Sequence, residues 1–267
     1  MKIFGILNIT DDSFSDGGLY RSLDQAKKKA DELIRDGADV IDLGAQSSNI
    51  HSTQISEEEE WRRLEPMIDY LQKNKFPISI DTYKPEVISR SLDREVEYIN
   101  NINGFVNPDS LLVLKSKVNQ INKIIIMFSH SHSERAEGSS NLKKETIVSE
   151  VKSFFRSKKL ELNQLGILDS QIVCDPGMGF FLGDDPELSF EVLRNISELQ
   201  NEFGEILVSV SRKSFLGNVL GNVPPIERGF ASLSAEIYLV SRGIDFIRTH
   251  NVKALQNAEL VWRKCNL

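Results

Sequence analysis

Short apolar runs rich in β-branched residues alternate with helical patterns along the whole chain, and this alternation limits the fold more than any other feature. The runs predict eight strands, at residues 2–7, 39–43, 77–80, 98–102, 124–127, 171–174, 206–210 and 246–248. Consecutive parallel strands need a crossover connection, which is usually a helix. Eight strand–helix units in 267 residues therefore predict an α/β fold of the (β/α)8 TIM barrel type, as one domain over residues 1–267.

Capping residues mark where several helices begin. Ser22 with Gln25 forms a capping box that predicts the start of the first helix. Ser56 with Glu59 forms another before the second helix, and Asp185-Pro186 joins an N-cap to a proline at the first helical position. Weaker helical patterns cover residues 85–94, 108–118, 142–164, 224–242 and 252–264. The alternative fold is an open doubly wound sheet, but no Gly-x-Gly-x-x-Gly motif follows the first strand.

Charge and composition exclude several classes of partner and site. A formal net charge of −7 disfavours nucleic acid and anionic membranes as partners. No apolar run approaches the ~20 residues that span a bilayer, and the first residues open into a strand without a signal peptide, so we expect a cytoplasmic protein. The two cysteines are too few for a disulfide framework, and neither they nor the four histidines have zinc-ligand spacing.

Polar residues at the ends of four predicted strands suit a flat heterocycle. In a barrel of this type the active site lies at the carboxyl ends of the strands, where the sequence has Asp81, Asn100, Asp175 and Lys213. They offer carboxylate and amide acceptors and one cationic donor, enough to hydrogen-bond most edges of a nitrogen-rich fused ring. The alternative is structural: Asp81 and Asp42 could cap helices or bridge strands, and Asn100 could hold a loop.

A second group of residues suits an anion. Arg248 and His250 are two apart on the last strand, so their side chains share one face. Ser47 and Ser48 add hydroxyl groups, and Asn8 adds an amide oxygen. Loops after the last two strands are the usual phosphate site of this fold, so we expect a phosphate together with a hard metal ion. The alternative for Arg248 is a surface ion pair.

Five segments of the sequence resemble dihydropteroate synthase. They are GILNIT at 5–10, DSFSDGG at 12–18, DPGMGF at 175–180, SRKS at 211–214 and RTH at 248–250, and their order and spacing match along the whole chain. The resemblance implies a reaction of folate biosynthesis, in which 4-aminobenzoate displaces diphosphate from 6-hydroxymethyl-7,8-dihydropterin diphosphate to give 7,8-dihydropteroate. It also implies Mg2+ on the diphosphate and a homodimer.

The resemblance assigns roles to matching positions. The pterin-binding positions are Asp81, Asn100, Met127, Asp175, Phe180 and Lys213. The positions for diphosphate are Ser48, Arg248 and His250, and Asn8 matches the Mg2+ ligand. The positions on the side of 4-aminobenzoate are Ser214, Phe180, Phe181 and Ser47. The catalytic set is Asp175, Lys213, Arg248, His250 and Asp16, with Asp16 on a loop that we expect to close over the site; its alternative task is to shape the Gly17-Gly18 turn.

Several positions depart from the family pattern. Asp11 stands where the family usually has proline, and Ser48-Asn49-Ile50-His51 replaces Thr-Arg-Pro-Gly, so one cationic loop contact is missing. Asn101 replaces a common aspartate, and Phe128 replaces a frequent histidine. The residues for pterin and diphosphate are unchanged, so these departures concern loop geometry and the handling of 4-aminobenzoate.

Residues 47–49, 180–183 and 209–217 most resemble the sulfonamide-insensitive branch of the family. Sulfonamides mimic 4-aminobenzoate but carry an additional ring, so bulk at Phe181 would reject them and admit the smaller substrate. The alternative is that Phe181 packs in the core beneath the next helix. Two other functions stay open: a methyltransferase acting on methyltetrahydrofolate, and a pterin-binding homologue without catalysis.

Overall fold

The structure of the chain, a computed structural model, describes residues 1–9, 18–46, 54–131 and 140–266. Its strands are β1 (Lys2–Asn8), β2 (Val40–Gly44), β3 (Ile78–Asp81), β4 (Tyr98–Asn101), β5 (Lys123–Met127), β6 (Ile172–Asp175), β7 (Leu207–Val208) and β8 (Phe246–Thr249). All eight predicted strands are present, with small shifts at their ends.

Helices separate the strands. Within the described residues the α-helices are α1 (Gly18–Arg35), α2 (Glu57–Lys73), α3 (Pro85–Asp93), α4 (Pro108–Ser116), α5 (Ile147–Gln164), α6 (Pro186–Arg194), α7 (Ile196–Phe203), α8 (Ser214–Val219), α9 (Gly229–Ser241) and α10 (Val252–Cys265). Ser56 and Asp185 each accept a backbone N–H from the first turn of α2 and α6, which confirms both caps. The capping box at Ser22 predicts the wrong start for the first helix, because α1 already begins at Gly18.

The strands close into a barrel. They pair in parallel in the order β6-β5-β4-β3-β2-β1-β8-β7. A parallel bridge between Cys174 in β6 and Ile206, directly before β7, joins the two ends of this order. The predicted (β/α)8 barrel is therefore confirmed, and the open doubly wound sheet is wrong.

The interior of the barrel is filled at one level by apolar side chains, which we term the floor. Its members are Phe4, Val40, Tyr98, Ile125, Val173, Leu207 and Phe246. The ring of Phe4 meets those of Tyr98 and Phe246 edge to face, with centroids 4.9 and 5.6 Å apart. Since Phe4 and Tyr98 belong to strands that are not neighbours, these contacts cross the barrel and make it a packed core rather than a pore.

A second and larger apolar cluster lies between the strands and the surrounding helices. No helix within the described ranges is both long and apolar enough to cross a membrane.

Candidate active site

Side chains with chemical function lie one step above the floor. Successive side chains of a strand point to opposite faces, so residues two apart share the interior. Five strands make this step from a floor residue to a site residue: Val40 to Asp42, Tyr98 to Asn100, Ile125 to Met127, Val173 to Asp175 and Phe246 to Arg248. In β3 the buried Ser79 precedes Asp81 in the same way. The fold thus gathers its polar interior residues at the carboxyl ends of the strands.

Three of the predicted residues are buried near the carboxyl ends of β4, β5 and β6. Asn100, Met127 and Asp175 are 3%, 5% and 4% exposed, so a ligand would reach them only from within the barrel. Register places Asn100 beside Asp81 and Met127 beside Asp175. The acceptors expected for a heterocycle therefore come from adjacent strands.

A cavity of about 710 Å³ opens at the same end of the barrel, and Asn100, Met127 and Asp175 are not among its lining residues. The predicted residues on its walls are Asn8, Asp81, Phe180, Phe181, Lys213, Ser214, Arg248 and His250. Residues predicted for a heterocycle and residues predicted for an anion thus meet in one cavity. Ser211, Arg212 and Arg228 also line it, and none of them was a predicted site residue.

Arg248 is held by two carboxylates in the barrel interior. Its Nε lies 2.5 Å from Asp42 Oδ2, and its Nη2 lies 2.6 Å from Asp81 Oδ2. The surface ion pair considered for Arg248 is wrong, because its side chain is 15% exposed and that of Asp42 is fully buried. Asp42 is the main residue that sequence reasoning undervalued, and its position two residues after Val40 was the available signal.

The two carboxyl groups expected to bind a ring have raised pKa values. Burial raises the pKa of Asp81 to about 7, against the opposing charge of Arg248 and with the negative charge of Asp42 raising it further. Burial also raises the pKa of Asp175 to about 6, opposed by the Gly177 N–H that donates to its Oδ1 at 2.8 Å. Both groups can therefore change protonation near neutral pH.

Lys213 supplies a cation whose positive charge is favoured by some of its surroundings and opposed by others. Burial lowers its pKa to about 8, and Arg248 lowers it too, whereas Asp175 and Asp81 oppose the shift. Its Nζ lies 4.5 Å from the ring centroid of Phe181, a cation–π contact. Phe181 is 4% exposed and Phe180 is 44% exposed, so the first is a fixed part of the wall and the second lies at the rim.

His250 is a neutral imidazole in the free site. Burial is the largest cause that lowers its pKa to about 3, followed by the positive charges of Arg248, Arg212 and Lys213. Ser211 Oγ accepts the backbone N–H of His250 at 3.2 Å and lies 3.0 Å from its Nδ1. When Nδ1 of the neutral ring is the acceptor in this contact, the Ser211 hydroxyl donates to it and the ring proton lies on Nε2 as a donor.

The loop after β6 depends on glycine at Gly177. Its φ of +68° is left-handed, and a Cβ there would lie 2.2 Å from the carbonyl oxygen of Phe128. The Gly177 N–H is also the donor to Asp175 Oδ1 described above. Packing against Phe128 and the left-handed backbone therefore both require glycine at this position.

Three predicted site residues lie outside the described part of the chain. Asp16 falls within residues 10–17, and Ser47 and Ser48 fall within residues 47–53. The departures from the family pattern at Asp11 and at residues 49–51 fall in the same two segments. Their roles stay predictions from the sequence.

Similarity to known proteins is extensive. The pattern of the family described as pterin binding enzyme matches residues 4–250. The chain is 42% identical to a dihydropteroate synthase type-3 of Escherichia coli over 96% of both chains, and 41% identical to a type-2 enzyme of the same organism over 96% of this chain and 92% of the relative. A solved structure of Xanthomonas albilineans dihydropteroate synthase with 4-aminobenzoic acid superposes with a TM-score of 0.87 at 28% identity, covering 99% of this chain and 93% of that one.

The packing at Gly177 predicts an unequal response of two glycines to the same substitution. Gly177→Ala should lower the free energy of unfolding by about 3 kcal/mol or more, since left-handed strain adds to overpacking against the Phe128 carbonyl. Gly243 has a φ of +70° with nothing within 4 Å of a Cβ, so Gly243→Ala should cost only about 1–2 kcal/mol. Urea unfolding measures both, and equal losses would contradict the packing argument.

Proposed function

This chain belongs to the pterin-binding enzyme family, and on that premise we propose that it acts as a dihydropteroate synthase. It condenses 6-hydroxymethyl-7,8-dihydropterin diphosphate with 4-aminobenzoate, which yields 7,8-dihydropteroate and diphosphate in folate biosynthesis. The observation that carries the proposal is the cavity that Asp81 and Lys213 of the ring-binding group line together with Arg248 and His250 of the anion-binding group, with Asp81 and Arg248 in direct contact.

The pterin ring is proposed to bind at the base of the cavity. A dihydropterin presents N–H groups on one edge and oxygen and nitrogen acceptors on another. The carboxylates of Asp175 and Asp81 suit the N–H groups, the amide of Asn100 can donate and accept, and Lys213 can donate to an oxygen. Buried acceptors of this kind favour the correct ring strongly, because a ring without matching donors would leave them unpaired. The proposed apolar walls are Met127 and Phe180.

The diphosphate is proposed to bind beside Arg248 and His250, with Ser48 assigned by the resemblance alone. Arg248 already bridges two carboxylates, so an incoming anion gains a cation that is fixed in position. The neutral ring of His250 offers its Nε2–H without adding charge. Binding of the anion then raises the proton affinity of that ring, because a nearby opposite charge favours the protonated form.

The proposed reaction uses both the residues that bind the pterin and those that bind the diphosphate. As the bond from carbon to the diphosphate oxygen breaks, positive charge develops on the exocyclic methylene and spreads into the electron-rich ring. Asp175 is placed to stabilise that charge, while Arg248 and His250 stabilise the negative charge of the leaving group. The amine of 4-aminobenzoate then forms the new C–N bond and loses one proton to solvent. Lys213 orients the ring, and Asp16 is the further catalytic residue inferred from the sequence.

The Mg2+ ion implied by the resemblance fits the oxygen atoms at the end of β1. A Cβ at Gly44 would lie 3.3 Å from Asn8 Oδ1 and 3.9 Å from Asp81 Oδ2, so both oxygens flank a position without a side chain, and Asp81 Oδ2 also accepts from Arg248 Nη2. No group of three or more His, Cys, Asp or Glu in the described ranges is arranged for a metal. An ion that keeps waters and binds chiefly through phosphate oxygens needs no such group. When bound, it would neutralise charge on the diphosphate, and Asn8 would hold it.

4-Aminobenzoate is proposed to bind at the rim beside Ser214, Phe180 and Phe181, with Ser47 added from the sequence. Ser214 follows Lys213 and begins α8, so a hydroxyl and an ammonium group are close to the carboxylate of this substrate. The exposed ring of Phe180 offers a surface on which an aromatic substrate can stack.

The proposed reaction predicts release of diphosphate that depends on 4-aminobenzoate. Asp175→Asn should lower kcat/KM by about tenfold to a hundredfold, because a neutral amide cannot match a charge-assisted contact. In the wild type, kcat/KM should fall as the pH drops below the Asp81 pKa of about 7 and fall more steeply below the Asp175 pKa of about 6, since protonation removes each acceptor; the variant should keep only the first of these two falls. A coupled assay of diphosphate release measures both effects.

Asp184→Asn is the matched control, because Asp184 is an exposed carboxylate that follows the same loop. It should leave kcat/KM unchanged. Release of diphosphate without the amine, or pterin binding without any release, would count against the synthase and favour one of the two other functions.

We also propose a low sensitivity to sulfonamides that depends on Phe181. Its ring is buried in the cavity wall and lies against Lys213 Nζ, and its carbonyl oxygen accepts the His130 N–H at 2.9 Å. Because its backbone is hydrogen-bonded and its ring is packed against Lys213, this side chain resists moving aside for the additional ring of a sulfonamide. A core-packing role for Phe181 is compatible with the exclusion of sulfonamides, because its side chain is both buried and part of the cavity wall.

Removal of this ring predicts a change in selectivity. Phe181→Ala should lower the sulfonamide inhibition constant by about tenfold relative to the KM for 4-aminobenzoate, which corresponds to ~1.4 kcal/mol. Leu182→Ala is the control, since Leu182 is fully buried and does not line the cavity. It should lower the melting temperature without changing that ratio, and an unchanged ratio in both variants would end the proposal.

A homodimer is the assembly that we propose for this chain. The sequence of α9, GFASLSAEIYLVS, has one charged residue, Glu236, and that residue is buried. Helices that are apolar on all sides are normally covered. Yet Phe230 on α9 is 91% exposed, and Leu260 and Val261 on the neighbouring α10 are 61% and 62% exposed. A second copy of the chain is the proposed cover for this outer surface.

The dimer proposal predicts a specific effect of charge on α9. Phe230→Asp should raise the dimer dissociation constant by at least about tenfold, because a buried unpaired carboxylate opposes association. Leu112→Asp provides the control on α4, where the side chain is 64% exposed, and should not change association. Sedimentation velocity over a range of concentrations measures both, and a monomeric wild type would refute the dimer.

A further inference from the structure

Glu236 is a buried acid for which the proposed reaction has no task. It lies on α9 with 2% of its surface exposed. Its Oε1 atom has no hydrogen-bond partner among the residues that the structure describes. The hydroxyl group of Thr249, the last residue of β8, lies near enough to donate to the carboxylate and so lowers its pKa. A buried carboxyl group satisfied on one side only needs a reason, because desolvating it is costly.

Two hydroxyl groups connect this acid to the active site. Thr249 Oγ1 lies 3.4 Å from Ser211 Oγ, and Ser211 Oγ lies 3.0 Å from Nδ1 of His250. Thr249 Oγ1 also accepts the Asn251 N–H at 3.2 Å. A backbone bond therefore holds each hydroxyl oxygen in place, since Ser211 accepts the N–H of His250. The Glu236 carboxyl and the ring that faces the cavity are the two ends of one hydrogen-bonded chain.

We propose that Glu236 is a positioning residue for the diphosphate, and that it acts on His250 through these two hydroxyl groups. Its carboxylate stabilises the positively charged ring that forms when an anion binds. The inference rests on the proposed function, because that function places the diphosphate at His250.

The hydrogen bonds of the two hydroxyl groups can point either towards His250 or towards Glu236. With a neutral ring, Ser211 donates to Nδ1 of His250, as in the free site. When the ring takes up a proton from solvent, Nδ1–H donates to Ser211, whose own hydroxyl proton then points to Thr249. The Thr249 hydroxyl in turn donates to Glu236. A carboxylate at the far end is the acceptor that completes this reversed chain.

The surrounding charges explain why such support is needed. Arg248, Arg212 and Lys213 face the ring and oppose its protonation in the free site. The carboxylates of Asp42 and Asp81 are already engaged by Arg248. At the other end, burial raises the pKa of the Glu236 carboxyl to about 7, its hydroxyl partner lowers it, and no charged side chain in the described ranges contributes. Glu236 is therefore ionised mainly above neutral pH, where the ring most needs a partner.

Binding of inorganic pyrophosphate with Mg2+ tests the inference in the full chain. Glu236→Gln keeps the shape of the side chain but cannot ionise. Its dissociation constant should exceed that of the wild type by about threefold to tenfold near pH 8, the effect of one good hydrogen bond, and the two should converge near pH 5.5, where Glu236 is protonated. A merely structural role would give a ratio that does not follow pH.

A spectroscopic measurement without ligand separates the inference from the proposed function. In protein labelled with 15N-histidine, and with His250 assigned from a His250→Gln variant, the Nδ1 shift should show a step where Glu236 titrates. The step should be absent in Glu236→Gln and in Thr249→Val, and restored in Thr249→Ser. Ser241 belongs to the same helix but not to the hydrogen-bonded chain, so Ser241→Ala should keep the step.

These readouts give distinct outcomes. A step in the spectra with no pyrophosphate binding by the wild type would mean that the diphosphate assignment fails, and with it the positioning role. Two results would refute the role of Glu236 and leave the synthase proposal intact. One is the absence of the step in the spectra. The other is a wild type that binds pyrophosphate at high pH with the same dissociation constant as Glu236→Gln. If Glu236→Gln does not fold, Thr249→Val and Thr249→Ser give the same comparison.

Discussion

The contact of Arg248 with two carboxylates is the interaction on which the rest of the site depends. Asp42 comes from β2, Asp81 from β3 and Arg248 from β8, so one guanidinium group ties three strands together inside the barrel. Removing a partner from such a buried group leaves an uncompensated charge, which is strongly destabilising. The residues expected to hold a ring and those expected to hold an anion are therefore parts of one network, and a ligand at either end alters the charge at the other.

The parts of this arrangement that follow from local pattern could be predicted from the sequence. The eight strands were predictable because apolar runs and their separators are local. Asp81 and Asp175 were predictable because each ends such a run, and Asn100 because it is a polar residue within one. Helices α7 and α8 were not predicted, since α7 follows α6 after a single residue and α8 has only six. The tie between Asp42 and Arg248 spans 206 residues, and no spacing rule indicates it. The path from Glu236 to the active site likewise exists only once α9 packs behind β8.

The neighbouring residues Phe180 and Phe181 show how one step along the chain separates two tasks. The first ring is at the rim and open to an aromatic ligand, whereas the second is sealed into the wall against Lys213. The lysine is thus in contact with the residue proposed to limit inhibitor binding and close to the carboxylates proposed to bind the pterin. A substitution that loosens the wall would also disturb the cation that orients the ring, which couples drug exclusion to substrate binding.

The closure of the barrel has a consequence for motion. β7 has two residues, and it meets β6 through the bridge between Cys174 and Ile206. Local opening in proteins begins where few backbone bonds hold neighbouring segments, so amide exchange should be fastest along this seam of the sheet. Asp175 ends β6, and Lys213 follows β7, so the seam runs between the two residues proposed to hold the same ring. A bound pterin would then add contacts across this seam and hold the two strands together more firmly than their few backbone bonds do alone.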